Sequence, residues 1–85
     1  MLQTDTTTVQ VEYYAILREQ RGCSRERVVT SAKTAADLYD ELQTKHGFSL
    51  PAPALRVAIN GEFQPWTTEL RTEDVVVFLP PVAGG

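Results

Sequence analysis

The sequence closes on Gly84-Gly85 after an apolar stretch, and few other residues in it carry the means for chemistry. A terminal glycine offers a carboxylate on a Cα with no side chain, able to enter a narrow channel and adopt whatever backbone angles an activating site requires. A carboxylate becomes electrophilic only when one oxygen is made a leaving group, for example as an acyl-adenylate. The other candidates are sparse. Cys23 and His46 are the lone cysteine and histidine. Paired, they lack a third group to orient them as nucleophile and base, and two ligands do not make a zinc site. His46 is expected to be structural or solvent-exposed. Asp37, Asp40 and Glu41 read as a solvated helix face. No glycine-rich loop of the phosphate-cradling kind is present, so the chain is not expected to bind ATP itself. The expected reactive group is therefore the Gly85 carboxylate, with the walls of its active site supplied by another protein.

The residues before the glycines suit that task. Val75-Val76-Val77-Phe78-Leu79 reads as an apolar strand, and Pro80-Pro81 stiffens its exit by fixing φ. An extended arm over 80–85 reaches roughly 18–21 Å. That is enough to thread from a docked body into a partner, and the proline pair reduces the entropy lost on threading.

The elements that position this arm follow from periodicity. Val9, Val11, Tyr13 and Ala15 alternate with Gln10, Glu12 and Tyr14, a half-buried strand with Tyr14 on the wet side. Residues 15–20 suggest a helical turn closed by Gly22, and residues 25–30 a strand returning antiparallel to the first. Thr34 is expected to cap a helix with Asp37 in its first turn. Ala35, Leu38, Tyr39 and Leu42 form its apolar stripe, and Gly47 ends it. Pro51 and Pro53 make residues 48–54 a loop. Residues 56–59 predict a third strand turning at Asn60-Gly61 into a short return strand, 62–64. Leu70 is expected to anchor in the core, and Trp66 to be an exposed anchor or, preferably, a lid on it. The sum is an α+β domain, a mixed sheet over one helix. One helix covers one face, so the other face is expected to carry Phe78 or its neighbours uncovered, giving with Tyr14 and Phe63 an apolar docking patch. The alternative is a second small core closed by loops.

Composition bounds the rest. A chain of 85 residues is one domain with one small core. Eight basic residues against eleven acidic ones, without clustering, argue against nucleic acid as the primary partner. No apolar run approaches the ~20 residues of a membrane span, and residues 1–8 have neither the basic nor the apolar region of a signal peptide. They are expected to be a flexible lead, followed by a folded domain over 9–79 and the tail over 80–85. A single cysteine excludes an internal disulfide and fits a reducing, cytoplasmic setting.

From Val9 onward the sequence resembles the molybdopterin synthase small subunits, ubiquitin-like β-grasp sulfur carriers of molybdenum cofactor synthesis. The specific element is the ending Val-Phe-Leu-Pro-Pro-Val-Ala-Gly-Gly over residues 77–85. Tyr14-Ala15 with Leu17-Arg18-Glu19, the run Val57-Ala58-Ile59-Asn60, and Leu70 with Thr72-Glu73-Asp74 follow the family more loosely. Glu73 stands where the family usually has glycine, so that turn is expected to differ in type. The resemblance implies a β-grasp with a four- to five-stranded sheet. A ubiquitin-activating-like adenylyltransferase would consume ATP to adenylate Gly85, and a sulfur donor would convert the adenylate to a thiocarboxylate. The tail, through Pro80, Pro81 and Gly84, would then enter a large catalytic subunit, where the sulfur attacks a pyranopterin precursor. The chain would thus be a non-catalytic donor subunit, binding no metal or cofactor itself. Matched residue by residue, Tyr14, Phe63 and Leu79 would contact the large subunit, and Arg18 would pair with an acidic partner residue. Two small and two large subunits would form a heterotetramer. Sulfur delivery for thiamin, cysteine or tRNA thiolation, or protein modification through an isopeptide, are the alternatives; those carriers usually lack the proline pair.

Overall fold

Alternating apolar residues build the first strand, β1 (Thr7–Tyr13), with Val9, Val11 and Tyr13 buried. The computed structural model describes residues 6–81. After β1 come α1 (Ile16–Arg21), β2 (Arg25–Thr30), α2 (Ala35–His46), a 3₁₀ turn at Ala52–Ala54, β3 (Arg56–Ile59), β4 (Glu62–Gln64) and β5 (Val75–Leu79). Strand β1 begins before the expected end of the flexible lead: Thr7 pairs with Thr30 and Thr8 with Val29, as β-branched threonines favour. Residues 1–5 lie outside the described residues.

The five strands form one mixed sheet in the order β2-β1-β5-β3-β4. Strand β5 is central, parallel to β1 and antiparallel to β3. Helix α2 packs across one face. Thr34 accepts from the Asp37 amide, and Gly47 closes the last turn in the left-handed region at φ 71°. The Ala35 and Ala36 amides donate to the Thr68 and Trp66 carbonyls, which ties the 65–70 segment to the start of the helix. Leu38, Tyr39 and Leu42 are fully covered, as the stripe requires. The Tyr39 hydroxyl donates to the Leu50 carbonyl at 2.6 Å and holds the proline-containing loop against the helix. Leu70 packs half-buried at the core's edge, and Trp66 is the lid: its ring stacks on Phe78 at 5.9 Å between centroids.

One expectation is narrowed and another needs correction. Phe78 lies on the covered side with no exposure, touching Tyr39 edge-on at 5.1 Å. Its neighbours Val77 and Leu79 take the opposite face, because side chains along a strand alternate. The Thr72-Glu73-Asp74 turn, expected to change type without its glycine, keeps a glycine-like conformation. Glu73 sits at φ 68°, and the Asp74 amide donates to the Arg71 carbonyl at 3.1 Å. That is the positive-φ third position of a type II turn. The turn is held in place by Asp74, which accepts from the Arg71 amide at 2.8 Å and from Asn60 Nδ2 at 2.9 Å.

At one end of the covered side, polar groups meet. Arg21 donates to both Glu26 oxygens, at 2.6 and 2.9 Å, and the Tyr13 hydroxyl donates to Glu26 Oε2 at 2.6 Å. His46 Nε2 lies 3.9 Å from the same carboxylate, with Phe48 beside its ring. Burial, reinforced by Glu26, raises the Tyr13 pKa far above its usual value. The Arg21 hydrogen bonds hold Glu26 below the usual carboxylate range. Burial and then the Arg21 charge push His46 down, outweighing the attraction of Glu26.

Both depressed groups make acid destabilising. As pH falls below the ordinary histidine value of 6.5, the unfolded chain takes up a proton that folded His46 refuses. The Glu26 contribution is present above 4.5 and is lost as pH falls through its lower folded value. The melting temperature is therefore expected to drop on acidification from about 7 to about 5, and His46→Gln to flatten that limb while leaving the steeper loss below it. At the turn, Glu73→Gly should raise stability by about 0.5–1 kcal/mol, since left-handed angles cost glycine nothing. Thermal denaturation measures both; a lowered midpoint for Glu73→Gly would contradict the turn assignment.

Candidate functional site

The strand register decides which residues share the face that α2 leaves open. Across the sheet, Phe63 pairs with Ala58, Ala58 with Val77, Val77 with Glu12, and Glu12 with Arg25. One step toward the tail, Arg56 pairs with Leu79. No described element packs over this face, so Phe63 is 55% and Tyr14 46% exposed, both large for aromatics of a small domain. The uncovered apolar surface expected on this face is present, built on Val77 and Leu79 rather than Phe78.

Strand β5 ends in the Leu79-Pro80-Pro81 exit, with Leu79 and Pro80 half-buried and Pro81 exposed. Beside it is an apolar cleft of about 350 Å³, lined by Pro53, Leu55, Phe63, Leu79 and the two prolines among others. The structure thus brings Phe63, Leu79, Pro80 and Pro81 together around the root of the tail. Gly84 and Gly85 lie outside the described residues. Tyr14 and Arg18 share a second cleft, about 300 Å³, with Glu12 and Arg25. Arg18 is exposed there.

Tyr14 is placed by an unusual corner. Ala15, which follows it, has φ 55° and ψ −128°, angles that glycine adopts freely and alanine rarely does. The corner turns β1 directly into α1, whose Leu17 drops into the core and whose Gly22 closes it at φ 85°. Tyr14 therefore leaves β1 projecting away from the packed side. Alternation indicated its exposure; nothing local indicated the strained alanine.

Two contributors escaped the sequence reading. Arg56 alternates with buried Val57 and lies on the open face, its guanidinium carbon 3.8 Å from the Phe63 ring centroid. Its strand position carried that information. Pro53, from the loop, closes the cleft through a nonlocal contact that no periodicity reports. Among the described residues, no three metal-ligating side chains stand together, and no helix is long and apolar enough to cross a membrane. Cys23 is half-buried against the core, and His46 belongs to the polar cluster on the other side of the sheet. Around Phe63, Leu79 and the two prolines, the described side chains form a largely apolar surface where the central strand ends.

The family model described as the ThiS family matches residues 11–85. The chain belongs to that family. No curated protein sequence matches it significantly. Among solved structures, it is similar to a protein described as molybdopterin converting factor subunit 1 from Pyrococcus furiosus. That match has 28% identity and a TM-score of 0.75, and covers 89% of this chain and 99% of the other. A chain in the complex of subunits 1 and 2 of molybdopterin-converting factor from Helicobacter pylori is also 28% identical, with a TM-score of 0.63 and coverage of 93% and 100%. SAMP1 from Haloferax volcanii is 25% identical, with a TM-score of 0.73 and coverage of 92% and 99%. The ThiS-family chain thus has the ubiquitin-like β-grasp of the sulfur carriers, a five-stranded mixed sheet over one main helix.

Proposed function

We propose that this ThiS-family chain is the sulfur-donating small subunit of a molybdopterin synthase. The observation that carries the reading is the Leu79-Pro80-Pro81 exit of the central strand, leaving beside exposed Phe63 on the sheet face that α2 does not cover. Likeness at 28% to two molybdopterin converting factor chains, one of them in complex with its second subunit, supports it. The proline pair favours this over delivery to thiamin, cysteine or tRNA.

In this reading the chemistry proceeds on Gly85. An adenylyltransferase brings ATP, the Gly85 carboxylate oxygen attacks the α-phosphorus, and pyrophosphate leaves. A sulfur donor then attacks the acyl carbon and AMP leaves: hydrosulfide gives the thiocarboxylate directly, and a persulfide gives an acyl disulfide whose S–S bond a thiol then reduces to release it. Its sulfur is anionic at neutral pH and a soft nucleophile, so it needs no base from this chain to attack a pyranopterin precursor. The body supplies recognition: Phe63, Leu79 and Tyr14 dock on the large subunit, Arg18 reaches an acidic residue of a partner, and the prolines hold the arm extended as it enters. Two such chains flank a dimer of large subunits, in the cytoplasm. Likeness to SAMP1 favours one other reading, a ubiquitin-like modifier in which Gly85 forms an isopeptide with a lysine.

Intact-mass measurement of the chain purified from its own cells separates the two. Exchange of one oxygen for sulfur at Gly85 is expected; a lysine conjugate instead would favour the modifier. A variant extended by residues after Gly85 should lose sulfur transfer completely while its unfolding midpoint stays unchanged, and continued conversion of the pterin by that variant would end the proposal. Phe63→Asp should weaken the complex with the large subunit by about 2–4 kcal/mol, the loss expected of a buried aromatic anchor. Because Phe63 is exposed in the free chain, its melting temperature should hardly move.

A further inference from the structure

Arg56 is the charged residue nearest the root of the tail on the open face. It pairs across the sheet with Leu79, the residue before Pro80, and lines the same apolar cleft as Phe63 and the prolines. Its guanidinium carbon lies 3.8 Å from the Phe63 ring centroid. Stacking of this kind restrains the plane of the guanidinium while leaving its N–H edge available, and that edge matches the two oxygens of a carboxylate. Two other arginines have acidic partners: Arg21 holds Glu26, and Arg27 lies 3.3 Å from Glu73. Among the described residues, no carboxylate oxygen stands within ion-pair distance of Arg56. Glu12, the acid in the neighbouring cross-sheet row, is two strands away on β1 and accepts from Gln10 instead.

The charge of the face points the same way. The chain is acidic overall, with a net charge of −3. Yet Arg25, Arg27 and Arg56 stand on the open face with Arg18 at its rim, four of the eight basic residues, against Glu12 and Glu73. A cationic face on an acidic molecule selects an acidic complement. Docking the apolar cleft would also strip water from Arg56, which is costly unless the partner neutralises it.

From this we infer that Arg56 is a specificity residue: it pairs with a carboxylate side chain that the tail-accepting subunit presents beside its pocket for Phe63. The inference rests on the function proposed above. Its test is the dissociation constant between the full-length chain and the large synthase subunit of the same organism, measured by titration calorimetry over a series of salt concentrations. Arg56→Leu should weaken binding about ten-fold and flatten the salt dependence, and Arg56→Glu should weaken it about a hundred-fold or more. Arg56→Lys should fall between wild type and Arg56→Leu, since it keeps the charge and loses the fork. Unfolding midpoints should match throughout, which separates lost recognition from lost folding. If Arg56→Leu binds with unchanged affinity and salt dependence, the inference fails and the proposed function stands. If Arg56→Leu binds more tightly, Arg56 serves some other anion, such as the chain's own terminal carboxylate, and the inference fails. If the wild-type chain does not bind the large subunit at all, both fall.

Discussion

Phe78 is the contact on which the remaining geometry depends. It is fully buried at the centre of the sheet, edge-on to Tyr39 of α2 and stacked under Trp66. Such a ring buries roughly 150–250 Å² and gains further from its aromatic neighbours. A slip of β5 by one residue would exchange Phe78 for Val77 or Leu79 on the covered side and expel the ring into water. The register of β5 against β1 and β3 is therefore strongly fixed. Everything on the open face inherits it: Val77 beside Ala58, Leu79 beside Arg56, and the direction in which Pro80 leaves.

The second constraint is arithmetic. One helix covers one face of a sheet, and this chain spends its remaining residues on closing that side. The 65–70 segment satisfies the first amides of α2, the 48–54 loop is tied to Tyr39 and Gln43, and the turn at Glu73 is braced through Asn60 and Asp74. Nothing among the described residues is left to cross the other face. Its exposed aromatics follow from this economy, and the surface is available for recognition without weakening the core. The polar cluster of Tyr13, Arg21, Glu26 and His46 lies on the covered side, where every member has a partner, and its perturbed protonation follows from burial and pairing.

Much of this was legible in the residues because the informative signals were local. Alternation placed Val9, Val11 and Tyr13 inward; the threonine cap, apolar stripe and closing glycine bounded α2; Asn60-Gly61 gave the hairpin, with both residues at positive φ. The side on which Phe78 lies was not legible. A strand apolar at every position has no parity, and only pairing with Tyr13 and Val57 assigns one. Glu73 misled for the opposite reason: the residue changed while the backbone did not, since Asp74, Asn60 and the Thr8 carbonyl together hold the turn. The Pro53 wall of the cleft arises from a nonlocal contact, the Ala15 corner had no local signal, and the stack of Arg56 on Phe63 follows from hairpin pairing that strand position only partly announced. The family and fold were nevertheless readable from the ending, because the proline pair and the two glycines form a short motif whose meaning does not depend on distant partners.

Under the proposed function, the position of Arg56 bears on how so small a chain would discriminate among receiving proteins. Apolar contact of the kind proposed for Phe63 and Leu79 is by itself poorly selective, since any pocket of suitable shape accepts a ring. A guanidinium set among those residues changes the balance. Its desolvation penalises a receiver with nothing to offer it and is offset by one that presents a carboxylate. Because Arg56 is held by both its strand partner Leu79 and the Phe63 ring, the penalty falls at the root of the tail. In the proposed docking, a mismatched receiver would meet it as the body seats beside Leu79 and Phe63. Specificity of this kind needs no added domain, only one charged side chain placed where the strand becomes the tail.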